Sequence, residues 1–150
     1  MLSLSGLAAL AAAHQADLDL PVAPLSVGDR LFDVDSAPVI MGCVNLSRDS
    51  TYRESIAVST ETAIRKARIM SAQGADIIDI GAESSTARAQ RVDPEMQSSS
   101  LVPVIEELAA DDIIVSVESY APSVVGDCLK AGARVVNLTG AADQEAIFDL

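Results

Sequence analysis

The stretch "IMGCVNLSRDS", from Ile40 to Ser50, decides the fold because an apolar run changes abruptly into polar residues. The run belongs to residues 38–45, "PVIMGCVN", and continuous apolar runs of this kind are typical of strands covered on both faces in a parallel sheet. The polar residues that follow are Asn45, Ser47, Arg48, Asp49 and Ser50. The sequence therefore predicts a buried strand that ends in a cluster of hydrogen-bonding groups.

The same unit repeats along the rest of the chain. Residues 59–74, "STETAIRKARIMSAQG", predict a helix that begins near Ser59 or Thr60 and ends at Gly74. The later segments alternate between strand and helix: strand 75–85, helix 93–112, strand 112–120, helix 121–132 and strand 133–140. In the second helix, Pro103 predicts either a kink or a late start. This alternation indicates a parallel α/β fold.

Polar residues close every predicted strand. The four clusters are Asn45 to Ser50, Glu83 to Thr86, Glu118 with Ser119, and Asn137 with Thr139. Parallel strands bring their carboxyl ends to one rim, and ligands bind at that rim in barrels and open sheets alike. The topology therefore predicts a binding site there.

Composition excludes several classes of function. The 150 residues are 49% hydrophobic and 21% charged, which is enough apolar material for one sizeable core. The net charge of −12 argues against nucleic acid and anionic membranes as partners. The chain has no phosphate loop, dinucleotide fingerprint, nucleophile elbow or zinc helix, and its one histidine, His14, lies in the amino-terminal tail. Cys43 and Cys128 match no metal-ligand spacing and are interpreted as reduced thiols of a cytoplasmic protein, with a disulfide as the alternative.

The amino-terminal residues differ from the rest, so residues 1–37 are predicted to be an extension and residues 38–150 the main domain. The apolar, alanine-rich start has no basic residue before Arg30 and is shorter than the roughly 18 residues of a membrane span. A frayed tail or a short surface helix is therefore expected. Residues from Pro21 to Asp35 predict an extended or hairpin-like lead-in.

Four segments together resemble a known family. "IMGCVNLSRDS", "GADIIDIGAESS", "VSVESYAP" and "AGARVVN" are similar, in this order, to the first four strand ends of dihydropteroate synthases and the wider pterin-binding barrel family. The resemblance covers residues 38–140 and implies the N-terminal half of a TIM (β/α)8 barrel. It implies a transferase of folate biosynthesis that joins 4-aminobenzoate to a dihydropterin methyl diphosphate, releases pyrophosphate, uses Mg2+ and is a homodimer at full length.

The resemblance also implies roles for residues of the first strand and loop. Asn45 matches the asparagine that helps to bind the magnesium–diphosphate group, and an amide oxygen is a hard ligand suited to that ion. Asp49 and Ser50 match the Asp-Ser of the first loop, which implies catalysis for Asp49 and substrate binding for Ser50. A plain turn residue is the alternative interpretation of Asn45.

Later segments supply the pterin-facing residues that the resemblance implies. Glu118 stands where the family has an aspartate that binds the pterin ring, and Asn137 matches an asparagine with the same role. Glu118 is therefore assigned to both catalysis and substrate binding, with a strand-end ion pair as the alternative. Ser85 matches a second-loop threonine, and Arg88 is the nearby candidate for that loop's arginine. Both are expected to bind substrate, with an ordinary loop serine as the alternative for Ser85.

Departures from the family pattern keep other functions open. The first loop lacks the usual proline and aromatic ring, Glu118 replaces an aspartate, and Leu138 stands where an aspartate normally follows Asn137. The alternatives are a non-catalytic pterin-binding paralogue or partner subunit, and a pterin-dependent methyltransferase-like domain. Only four strands of a barrel are readable, so these residues alone are expected to be inactive and to self-associate or bind a hydrophobic dye.

Overall fold

The computed structural model of the protein describes residues 3–47, 56–57, 59–83, 91–138 and 144–150. The chain divides into two compact units, Met1–Pro38 and Val39–Leu150. The described part of the first unit contains helices α1 (Leu4–Ala13) and α2 (Gln15–Leu18) and an antiparallel pair of strands, β1 (Leu25–Val27) and β2 (Arg30–Phe32). The tail is thus helical over Leu4–Ala13, and none of the residues of α1 is buried. The lead-in is a hairpin, because β1 pairs with β2 in the antiparallel sense. In the described ranges, no helix combines the length and the apolar character that crossing a membrane requires.

The second unit is a parallel sheet with helices between its strands. Its elements are β3 (Met41–Asn45), α3 (Thr60–Ala72), β4 (Ile77–Gly81), α4 (Pro94–Ala110), β5 (Ile114–Glu118), α5 (Pro122–Ala131), β6 (Val135–Asn137) and α6 (Gln144–Phe148). The four strands pair in chain order, β3-β4-β5-β6, and every pair is parallel. The predicted parallel α/β alternation is confirmed.

The course of helix α4 rules out one of the two alternatives that the sequence left open at Pro103. Asp93 caps the helix by accepting a hydrogen bond from the backbone N–H of Glu95 at 2.9 Å, and the helix then continues through Pro103. A late start at the proline is therefore wrong. An internal proline costs about 3 kcal/mol. Full burial of its apolar neighbours, such as Leu101 and Ile105, offsets that cost.

Helices α3, α4 and α5 end in the same way. Each is followed by a residue with positive φ: Gly74 (105°), Asp112 (60°) and Gly132 (116°). In each case the next backbone N–H donates to a carbonyl five residues earlier at 3.0 Å; the pairs are Ala75 to Met70, Ile113 to Leu108 and Ala133 to Cys128. These bonds satisfy carbonyls at the helix end and turn the chain directly into the next strand.

The hydrophobic core lies between the sheet and the helices. Alternate strand residues face the helices and are at most 1% exposed: Val44, Ile78, Ile80, Val115 and Val117. They pack in one cluster with helix residues that include Ala67, Leu101 and Cys128. Burial raises the pKa of Cys128 to about 12, with a smaller contribution from Asp127. Both cysteines are free, as predicted.

Two glycines at helix ends offer a matched test of this packing. A Cβ on Gly132 would lie 2.7 Å from the Cβ of Ala109, whereas a Cβ on Gly74 would meet nothing within 4 Å. Alanine at either position must adopt a left-handed conformation, which costs about 1–2 kcal/mol. Gly132→Ala should lose about 1–3 kcal/mol more than Gly74→Ala, because its methyl group also overpacks the α4–α5 contact. Urea unfolding of both variants measures the difference, and equal losses would contradict this account.

Candidate functional site

Three polar side chains stand where parallel strands end. Asn45 ends β3, Glu118 ends β5 and Asn137 ends β6. The register pairs Asn45 with Gly81 of β4, Gly81 with Glu118, and Glu118 with Asn137. Residues paired in register point to the same face of a sheet, so these four residues form one row across it. We call them the rim row.

Gly81 leaves room for the side chains of its neighbours in the rim row. A methyl group added at Gly81 would lie 3.2 Å from Oε2 of Glu118 and 3.6 Å from Oδ1 of Asn45. Both side chains therefore lean over the same glycine from neighbouring strands. The side-chain oxygen of Asn45 is buried there. The arrangement brings a carboxylate and an amide oxygen together on one face.

The first loop is anchored at the rim row. Ile56 forms a parallel bridge with Asn45, and the backbone N–H of Ala57 donates to the Asn45 carbonyl at 2.7 Å. The chain thus leaves β3 after Asn45 and returns beside it. The predicted site residues Asp49 and Ser50 fall between these two points, outside the described residues.

A second polar row lies one step below the rim row, on the same face. It contains Cys43, Asp79 and Ser116, which the register places side by side. Oδ1 of Asp79 accepts a hydrogen bond from Ser116 Oγ at 2.6 Å, and Oδ2 accepts one from Asn137 Nδ2 at 3.1 Å. Loss of water around the Cys43 thiol raises its pKa, and the charges of Asp79 and Glu118 raise it further. The charges of Asp79 and Glu118 therefore both act on the Cys43 thiol.

A hydrogen-bonded network centred on the buried Glu83 lies beside the ends of β4 and β5. Glu83 is only 4% exposed and accepts hydrogen bonds from the Arg91 guanidinium, from the backbone N–H of Val92 at 3.0 Å and from Gln97 Nε2 at 3.2 Å. Ser119 then donates to the other end of the Gln97 amide at 3.0 Å. Every member of the network is satisfied by a charged or polar partner, as buried polar groups require.

Arg91 links this network to the end of β5. Its guanidinium lies 4.9 Å from the centre of the Tyr120 ring, within the range of a cation–π contact. The predicted binding residues Ser85 and Arg88 lie between Glu83 and Arg91 in the sequence and are outside the described residues. The described arginine at this edge is therefore Arg91.

Sequence reasoning missed several residues of this region. Asp79, Gln97 and Arg91 received no role, and Glu83 and Ser119 were noted only as members of polar clusters at strand ends. One signal was present for Asp79, since it is the single charged residue within the otherwise apolar run "IIDIG". A carboxylate in a buried strand needs hydrogen-bond donors nearby, and those donors come from strands far away in sequence.

Other features of the surface do not compete with the rim row. Across the described ranges, no group of three or more His, Cys, Asp and Glu side chains could hold a metal ion unaided. An open groove of about 690 Å³ runs along α3 and is lined by residues such as Ile64, Arg65 and Arg68. All of its lining residues belong to one helix, and none belongs to the strand ends.

Comparison with known proteins identifies relatives of the chain. Residues 41–149 match the family described as pterin binding enzyme. The chain is 37% identical over 102 residues to the dihydropteroate synthase of Mycobacterium leprae, covering 67% of this chain and 36% of that protein. It is 35% identical over 127 residues to the dihydropteroate synthase of Synechocystis, covering 83% of this chain and 44% of that protein.

A solved structure of a dihydropteroate synthase shares the fold of this chain. Dihydropteroate synthase of Burkholderia cenocepacia, crystallised with 7,8-dihydropteroate, superposes with a TM-score of 0.69 at 29% identity, covering 85% of this chain and 41% of that one. The parallel βα units are thus those of part of a TIM barrel, as predicted. The chain spans less than half the length of each of these relatives.

The Glu83 network generates a stability prediction. In Glu83→Gln, the new NH2 group would face N–H donors, and at least one buried donor would lose its acceptor. The free energy of unfolding should fall by about 1–3 kcal/mol. The control is Glu106→Gln on the exposed side of α4, which should change it by less than about 0.5 kcal/mol. Chemical denaturation monitored by circular dichroism measures both, and equal stability of the two variants would contradict the network's role.

Proposed function

Because the chain belongs to the pterin binding enzyme family, we propose that it carries part of the active site of a dihydropteroate synthase. The reaction joins the amine of 4-aminobenzoate to the methylene carbon of a dihydropterin methyl diphosphate. The new C–N bond replaces the C–O bond to the diphosphate, pyrophosphate leaves, and the amine loses a proton. The observation that carries the proposal is the rim row, which gathers Asn45, Glu118 and Asn137 on one face of the strand ends.

Glu118 and Asn137 are proposed to hold the pterin ring. They are neighbours in register, so their side chains reach the same side of the sheet. Carboxylate and amide oxygens accept hydrogen bonds from the amino and ring N–H groups of a pterin. Charge that develops on the ring as the diphosphate departs would be stabilised by the fixed carboxylate of Glu118.

Asn45 is proposed to hold the diphosphate end together with Mg2+. Its buried amide oxygen is a hard ligand of the kind this ion accepts, and Mg2+ commonly completes its coordination with substrate phosphates and water. When bound, Mg2+ would neutralise charge on the leaving pyrophosphate. Asp49 is the proposed second contributor from the first loop.

Two further assignments are also proposals. A cytoplasmic location is proposed because Cys43 and Cys128 are both free thiols. The homodimer implied by the family resemblance stays a prediction, as does the self-association of these residues alone.

The proposal predicts separable effects on ligand binding. Wild-type chain titrated with dihydropterin methyl diphosphate should bind more tightly in Mg2+ than in EDTA. Glu118→Gln should bind about 10- to 100-fold more weakly in both, since a hydrogen bond to a charged group contributes about 1.5–3 kcal/mol. Asn45→Ala should weaken the Mg2+ dependence and keep the affinity seen in EDTA. Isothermal titration calorimetry measures all three.

Glu106→Gln is the matched control and should behave as wild type, because that side chain is exposed on α4. Failure of the wild-type chain to bind, or equal affinities in Glu118→Gln and Glu106→Gln, would contradict the proposal. In a protein that carries this chain together with the rest of the barrel, pyrophosphate release on adding 4-aminobenzoate separates a synthase from a protein that only binds pterins.

A further inference from the structure

Asp79 is a buried carboxylate directly beneath the rim row, and none of the proposed binding roles uses it. We propose that Asp79 is a positioning residue that fixes the orientation of the Asn137 amide, so that its carbonyl oxygen is the end presented to a ligand. The proposal deepens the proposed function, because it specifies the polarity of the pterin-binding face.

Both carboxylate oxygens of Asp79 accept a hydrogen bond from another strand. The residue is 7% exposed, and Ser116, which is fully buried, donates to Oδ1 at 2.6 Å. Oδ2 accepts from Asn137 Nδ2 at 3.1 Å. The hydroxyl of Ser116 therefore fixes one side of the carboxylate, and the other side faces the amide of β6. These contacts join three neighbouring strands.

The chemistry of the two groups determines which way the amide points. An asparagine amide has a donor end and an acceptor end, whereas a carboxylate offers only acceptors. The NH2 end of Asn137 must therefore face Asp79, which leaves the carbonyl at the opposite end. Glu118, its neighbour in register, also offers acceptors. Together they form a face suited to a ligand edge rich in N–H donors, such as the amino and ring N–H edge of a reduced pterin.

The substitution Asp79→Asn inverts this arrangement with little change in shape. The hydroxyl of Ser116 can still donate to the new amide oxygen, which leaves the new NH2 group facing Asn137. The Asn137 amide then turns by about half a rotation to accept that hydrogen bond, and its own NH2 group moves to the ligand side. A donor would then face the donors of a pterin.

Nuclear magnetic resonance reads this orientation directly. The wild-type chain contains only two asparagines, Asn45 and Asn137, so labelling with side-chain 15N-asparagine gives two NH2 signals. Asp79→Asn and Asp76→Asn each add a third signal, so Asn137→Asp is made in every background to assign the Asn137 signal. In wild type we expect one Asn137 amide proton to be shifted downfield and protected from exchange. Asp79→Asn should remove that signature. The control Asp76→Asn, at the opposite end of β4, should leave it unchanged, because Asp76 accepts from the backbone of Ile40 instead.

A second readout is the affinity for 7,8-dihydropteroate, measured by isothermal titration calorimetry. Asp79→Asn should bind it at least about tenfold more weakly, and Asp76→Asn should bind it as wild type does. A merely structural role would lower stability without changing the Asn137 signal or the affinity of the folded variant.

The outcomes separate this proposal from the proposed function. An Asn137 signal that is unchanged in folded Asp79→Asn overturns the positioning role. If the wild type binds dihydropteroate, equal affinity in Asp79→Asn overturns it as well. If wild type binds no dihydropteroate, the proposed function fails for this chain, and the Asn137 signal alone decides the orientation.

Should Asp79→Asn not fold, a measurement on the wild type decides instead. It is the scalar coupling across the hydrogen bond from Asn137 Nδ2 to the Asp79 carboxyl carbon. Its presence supports the proposal, and a freely exchanging Asn137 NH2 group overturns it.

Discussion

The parallel register of four strands is the constraint on which the rest of this structure depends. Because side chains alternate between faces with a period of two, one register places Val44, Ile80 and Val117 against the helices. The same register brings Asn45 and Glu118 to the opposite face at the strand ends. A shift of one residue in any strand would exchange apolar and polar faces, and would remove that strand's member from the rim row.

Buried polar groups behind the rim row are stable because each has a partner. Asp79 is held by hydrogen bonds from neighbouring strands, and Glu83 by Arg91, a backbone N–H and a glutamine. Burying either carboxylate without those donors would cost several kcal/mol, on the order of the whole stability of a small domain. The buried carboxylates of Asp79 and Glu83 therefore lie where their hydrogen bonds orient side chains at the strand ends.

The sequence predicted the local features well and the long-range ones poorly. The strand–helix alternation, the hairpin before the first parallel strand and the position of Asn45, Glu118 and Asn137 at strand ends all follow from periodicity and turn residues. The continuous course of α4 through Pro103 did not, because tertiary burial of Leu101 and its neighbours overrides the local cost of proline. Nor could spacing alone show that Asp79 meets an amide 58 residues further along the chain. Such contacts depend on register between strands, which local patterns do not encode.

The central claim is that the strand ends of this chain form a pterin site. A crystal structure of the chain with bound 7,8-dihydropteroate tests it most directly. The account predicts the pterin ring over Gly81, with its N–H groups within hydrogen-bonding distance of the Glu118 carboxylate and the Asn137 carbonyl oxygen. A ligand bound elsewhere, for example along the groove of α3, would contradict it. So would a pterin at the rim row that leaves Glu118 and Asn137 without contact.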